Sequence, residues 1–186
     1  MTQASPDWEA RCAELWRALD QIAPADFVAR MDALAGELAA TDPAALFERA
    51  CARDSTGRSD QAVPLYRAAL AGGLTGLRRR RASIQLASSL RSLGQAREAA
   101  GMLEAECRQP SDELDGAVSA FLALALADLG REREALQLSL AALAPCLPRY
   151  NRSLARYAAE LTTRRFTEDE RKFLATGQAS CEDAKE

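Results

Sequence analysis

Apolar residues return at every third or fourth position along most of this chain, and side chains spaced that way share one face of an α-helix. Trp8, Cys12, Leu15, Leu19 and Ile22 form one such stripe, with Ser5 as N-cap and Pro6 at the first helical position. Phe27, Met31, Leu34 and Leu38 form a second. The stretch "TDPAALFERA" starts a third helix, with Thr41 or Asp42 as cap and Pro43 just inside it. Pro64 falls near the start of the next helix, where it costs an early backbone hydrogen bond and little more. In "GLRRRRASIQLASSLRSLG", Leu86, Leu90 and Leu93 lie on the face opposite Arg81. The run from Ala117 to Leu129 includes Ser119 and Asp128 and is too short to cross a bilayer, so it reads as a buried helix. Tyr150, Leu154, Tyr157 and Leu161 line up as a closing helix. Thr167 and Glu170 are spaced for a capping box, and from Thr176 to Glu186 the polar chain is expected to be disordered.

These elements repeat. Gly57, Gly94 and Gly130 stand 37 and 36 residues apart, each between two helical patterns. Five residues after each glycine comes Ala62, Ala99 or Ala135, and farther on Tyr66, Leu103 or Ser139. A two-helix unit of this period is the signature of an α-solenoid, in which each hairpin buries its apolar face against its neighbours.

The units resemble the tetratricopeptide repeat family, and most closely its small bacterial members classed as tetratrico peptide repeat group 5. The phrases "RRRRASIQLASSLRSLGQAREA" and "FLALALADLGREREAL" carry the likeness, which extends from about Pro43 to Leu161. The small residue at the helix crossing is kept as Ala50, Ala87 and Ala123, whereas the aromatic near the start of each unit is replaced by Leu46, Ser83 and Ser119. The resemblance implies an all-α, right-handed α-α superhelix. The expected layout is an N-terminal helical pair over 1–42, a repeat domain over 43–165, and a short helix and tail over 166–186. The repeat domain divides into units at 43–75, 76–111 and 112–147, followed by a capping helix at 148–165.

Composition agrees with helix. Ala and Leu dominate, aromatics are 5%, and Val, Ile and Thr are scarce. No basic segment leads into an apolar run at the start, so a cytoplasmic location is expected. Five widely spaced cysteines (Cys12, Cys51, Cys107, Cys146, Cys181) without a CxxC pair suit neither a disulfide framework nor a zinc site. Buried free thiols are expected for the first four. With no histidine, Ser/His and Cys/His nucleophiles are excluded. Two late lysines, Lys172 and Lys185, and the lack of a P-loop leave little basis for catalysis, and no cofactor or metal is expected.

Charge changes the picture most. Residues 1–54 hold 5 basic and 10 acidic side chains, while residues 55–97 hold 8 arginines and one aspartate. Such a block needs counter-charge, from the protein's own acidic helices or from an anionic partner. At about 100° per residue, Arg78 to Arg81 spread around their helix and cannot form one patch. A helix starting only at Arg78 would crowd them at its positive end, so Thr75 is the expected N-cap.

In the tetratricopeptide family the first helix of each unit lines the concave surface. The resemblance therefore implies a partner-binding site of Phe47, Cys51, Arg78, Arg81, Ile84, Gln85, Ser88, Arg91 and Leu124. The third unit is apolar nearly all round, so the N-terminal helices, a homodimer partner or a bound peptide helix should cover it. The expected function is a non-enzymatic adaptor that binds a protein or peptide, including one with an anionic segment. The alternatives are a self-associating structural or chaperone-like role and, third, anionic-ligand or nucleic-acid binding through Arg78 to Arg81. An acidic pI near 5.2 and no aromatic beside the arginines count against nucleic acid.

Overall fold

Where each helix starts and stops follows from the groups that satisfy its end carbonyls and amides. The computed structural model describes residues 4–163, and among these there are nine α-helices and no strand. They are α1 (Pro6–Arg17), α2 (Pro24–Ala35), α3 (Pro43–Ser55), α4 (Ser59–Ala71), α5 (Gly76–Ser92), α6 (Ala96–Glu106), α7 (Asp115–Asp128), α8 (Glu132–Leu143) and α9 (Asn151–Thr163). Ser5 caps α1, its Oγ accepting from the Trp8 amide at 3.2 Å. Asp42, rather than Thr41, caps α3, its Oδ1 accepting from the amides of Ala44 and Ala45 at 2.9 and 3.1 Å. Thr75 takes the N-cap position of α5 in an extended conformation, though its hydroxyl makes no capping bond. Helix α5 therefore gains two residues ahead of the arginines. Pro64 is the sixth residue of α4, deeper than the pattern suggested.

The three turns are built identically. Gly57, Gly94 and Gly130 have φ of 77°, 78° and 73°, the left-handed region that glycine enters at no steric cost. The amide after each glycine donates five residues back: Arg58 to Arg53 O (2.8 Å), Gln95 to Leu90 O (2.9 Å) and Arg131 to Leu126 O (2.9 Å). Each glycine's own amide donates to Asp54, Arg91 or Ala127 O. This is the Schellman motif, and it reverses the chain three times through the same backbone hydrogen bonds.

Each helix packs on the next in order, α3 on α4 through α8 on α9, and α5 also touches α3 and α7. Ala50, Ala87 and Ala123 of the first helices and Ala62, Ala99 and Ala135 of the second are all buried in one core. Small side chains let the backbones approach, and larger ones such as Phe47, Tyr66, Leu90 and Leu103 fill the space beside them. The N-terminal pair has its own core of Trp8, Cys12, Phe27, Met31 and Leu34, and Trp16 joins that core to the main one. Trp8 Nε1 donates to Leu34 O at 2.8 Å, which satisfies the one polar atom this large buried side chain brings.

Two expectations change. The closing helix does not bury a stripe from Tyr150 to Leu161: Ala158 is buried, Leu154 and Leu161 are half-buried, and both tyrosines are exposed. Tyr150 precedes α9 with φ of 66°, which turns it away from the helix face. Cys12 and Cys51 are buried, but Cys107 and Cys146 are exposed, because both stand where a second helix runs out into its loop. Cys181, the Thr167/Glu170 capping box and the tail from Thr176 lie outside the described residues.

A Cβ at Gly94 would meet no atom within 4 Å, so only its backbone conformation resists substitution. Gly94→Ala is expected to lower unfolding free energy by about 1 kcal/mol, read from urea denaturation, without loss of helical circular dichroism.

Candidate functional site

The four consecutive arginines leave α5 in four directions, and three of them find carboxylates. Arg78 pairs bidentately with Glu9 of α1, at 2.9 and 2.6 Å, and reaches Glu48 of α3 at 3.5 Å. Arg79 pairs bidentately with Glu106 of α6, at 2.8 and 2.6 Å. Arg80 is buried, with Asp112 at 2.7 Å, Asp115 at 2.6 Å and the Pro110 carbonyl at 3.1 Å. The block thus pins α5 to α1, α3, α6 and the loop before α7. Paired planar forks of this kind suit guanidinium and would not suit lysine.

Arg81 differs. It is exposed, lies over the Phe47 ring with 5.3 Å to the centroid, and has no carboxylate partner among the described residues. Gln85 and Ser88 follow it on the same face, both half-exposed, and then Ser92, exposed. Arg91 is tied to Asp128 of α7, Nε to Oδ2 at 2.7 Å. On α7 the matching face is Ala117, Ala120, Leu124 and Ala127, with Leu124 45% exposed.

This face opens in steps along the stack. At equivalent positions the first unit has Glu48 and Cys51, both buried, the second Gln85 and Ser88, and the third Phe121 and Leu124. Helix α1 closes the first unit, since Trp16 Nε1 donates to Glu48 Oε2 at 2.7 Å. Burial pushes the Glu48 carboxyl above its usual range, against the opposing pull of the Trp16 hydrogen bond and the Arg78 and Arg81 charges. Burial also pushes the Cys12 and Cys51 thiols up to about 12, which keeps both neutral and poorly nucleophilic. The Cys51 thiol donates to Gln85 Oε1 at 3.1 Å.

Of the sequence-predicted site, Arg81, Gln85, Ser88, Arg91 and Leu124 therefore share one face. Phe47, Cys51 and Ile84 do not reach it, because each fills space between neighbouring first helices at 5% exposure or less. Arg78 is half-buried and committed to Glu9. The N-terminal helices cover the first unit and leave Leu124 of the third open. Sequence reasoning missed Trp16, Glu9 and Glu48. Glu9 lies 69 residues from Arg78, and no local spacing signals such a pair.

Repeated Schellman turns, alanine crossings and sequential packing are the geometry of a helical-repeat solenoid. Over residues 43–161 the chain matches the family model of the tetratrico peptide repeat. The chain belongs to the tetratricopeptide repeat family. Helices α1 and α2 lie before the matched segment and extend the stack of this tetratricopeptide protein with a pair of their own core. No curated protein and no solved structure matches the chain. The family fold serves protein interaction, and no described helix is long and apolar enough to cross a membrane.

Two stability measurements test the division of labour among the arginines. Arg80→Ala removes a buried side chain and its charge-assisted hydrogen bonds and should lower unfolding free energy by about 2 kcal/mol, whereas Arg81→Ala should change it by less than about 0.5 kcal/mol. The raised carboxyl of Glu48 means that the folded chain holds that proton more tightly than the unfolded chain. Stability from this site is therefore lost as pH rises above about 4.5, the ordinary glutamate value, toward the folded value. Glu48→Gln removes that loss, so its urea midpoint relative to wild type should be higher at pH 7 than at pH 4.

Proposed function

We propose that this tetratricopeptide protein is a non-enzymatic interaction module that holds a segment of a protein partner along the exposed face of α5 and α7. The observation that carries this reading is the contrast within the arginine block. Arg78, Arg79 and Arg80 are spent on internal carboxylates, and Arg81 alone of the four keeps its charge for another molecule. Stacking on Phe47 orients the guanidinium without neutralising it, which suits capture of a carboxylate. About two turns along, Leu124 and the small residues of α7 offer an apolar seat. The partner segment this face fits is amphipathic, with an acidic residue for Arg81 and an apolar side chain for Leu124.

The other readings of the block weaken on the same ground. A phosphate backbone is held by several free cations at once, and here the block offers one. The buried thiols give no nucleophile, and the composition holds no histidine to activate one.

Selection from a displayed peptide library against wild-type protein should enrich segments that pair an acidic residue with an apolar anchor. Arg81→Glu and Leu124→Glu should each weaken the selected peptides by at least about tenfold in calorimetry, with helical content retained. Peptides that bind both variants as tightly as wild type would refute this site.

A further inference from the structure

Among the described residues, arginines without a carboxylate partner stand close together in the chain at one place, the start of α9. Arg17, Arg30, Arg58, Arg81, Arg97 and Arg108 are each on a different element. Arg149 and Arg152 are both exposed, with no ion pair among the described residues. Arg156 follows one turn after Arg152 and is held only at 3.9 Å, by Glu160 of its own helix, with 66% of its side-chain surface free. The block on α5 draws its counter-charge from α1, α3, α6 and the loop before α7. Nothing comparable reaches the start of α9, and from Ala135 to Ala159 the sequence has no acidic residue. In a chain of net charge −3 this is a locally uncompensated positive surface.

Two exposed rings flank these cations. Tyr150 is 76% exposed and Tyr157 54%. Tyr150 holds φ of 66°, a costly backbone for a side chain with a Cβ, while its carbonyl accepts from the Leu154 amide at 2.8 Å and starts α9. Arg156 lies over the Tyr157 ring, 4.9 Å from its centroid, so charge and ring are presented together. Next to Arg152 is an apolar cleft of about 340 Å³, walled by Ala141, Ala144, Pro145 and Ala155, with Asn151 and Arg152 as its polar members.

This combination fits a single strand of nucleic acid. Its phosphates are held by several free cations at once, which the α5 block does not offer and α9 does. Its unpaired bases have flat faces that stack on exposed rings. A bilayer fits less well, because the apolar stripe of α9, Leu154, Ala158 and Leu161, is turned inward with Ala158 fully buried and is not free to enter lipid. An acidic peptide answers the charge and gives the rings no base to stack on. We propose that the start of α9 is a contact for single-stranded nucleic acid, with Arg149, Arg152 and Arg156 on phosphates and Tyr150 and Tyr157 against bases.

Fluorescence anisotropy tests this, with the full chain titrated into labelled single-stranded RNA and DNA of one sequence and about twelve nucleotides, at several salt concentrations. Both should bind, and log affinity should fall against log salt with a slope of about −2, the value for three phosphate contacts on a single strand. Arg152→Ala should flatten that slope by about 0.7. Tyr150→Ala and Tyr157→Ala should each weaken binding at least about fivefold and leave the slope as it was. These side chains are exposed, so helical circular dichroism should not change. Arg81→Glu and Leu124→Glu should bind as wild type does, which separates this contact from the α5–α7 face. No binding at low salt, or binding that the Arg152 and tyrosine variants leave intact, would overturn the proposal. So would a duplex of the same length bound as tightly as the single strand, since its bases are not free to stack. Polyglutamate that competes as well as RNA would reassign the surface to an acidic protein segment, and tighter binding to phosphatidylserine vesicles than to RNA would reassign it to a membrane.

Discussion

A hairpin of two short helices cannot cover its own apolar face, and that constraint governs this molecule. Each unit must lay its face on the next, and it can do so only if every unit turns through the same angle. The alanines at 50, 87 and 123, set against those at 62, 99 and 135, fix how closely the two helices of a unit approach. The three Schellman turns fix how the second helix leaves the first. With both set by small residues and glycine backbone geometry, the larger side chains between units can differ. Tyr66, Leu103 and Ser139 occupy one repeat position without disturbing the stack.

Electrostatics are organised around the same stacking. Arg79 and Arg80 cross from α5 to the end of α6 and the loop that follows, so they brace a unit against its own connection to the next. Arg78 crosses to α1, where Glu9 and Trp16 bring the N-terminal pair over the first unit. This is how a run of four like charges is accommodated in about one helix turn. Each side chain leaves in its own direction, and each of three directions ends in an acidic group on a different element. The fourth, Arg81, lies exposed over the buried Phe47 ring and has no carboxylate partner among the described residues.

The two exposed faces follow from where the stack is covered and where it is not. At the N-terminal end, α1 lies over the first unit, where Trp16 meets the buried Glu48, so the exposed face begins only at the second unit. At the C-terminal end, α9 stands on α8 with Tyr157 and Leu136 uncovered.

The sequence by itself determined the fold class, the repeat period, the turn glycines, the helix cap at Ser5 and the small residues at the crossings, and it left the cap of α3 between Thr41 and Asp42. Caps and turns are set by residues within one or two turns of each other, and the period by the return of the same local pattern, so spacing alone encodes the geometry. Arg81, Gln85, Ser88, Arg91 and Leu124 were legible as one face for the same reason, being positions at helical spacing on first helices in a known register. Only the tertiary structure decided that Phe47, Cys51 and Ile84 lie beneath that face, that Arg78 belongs to Glu9, and that the closing helix buries Ala158 and exposes its tyrosines. Those outcomes depend on which neighbouring helix lies over a given flank. Contacts between α1 and α5 join residues 69 positions apart, and no periodicity in the chain carries that information.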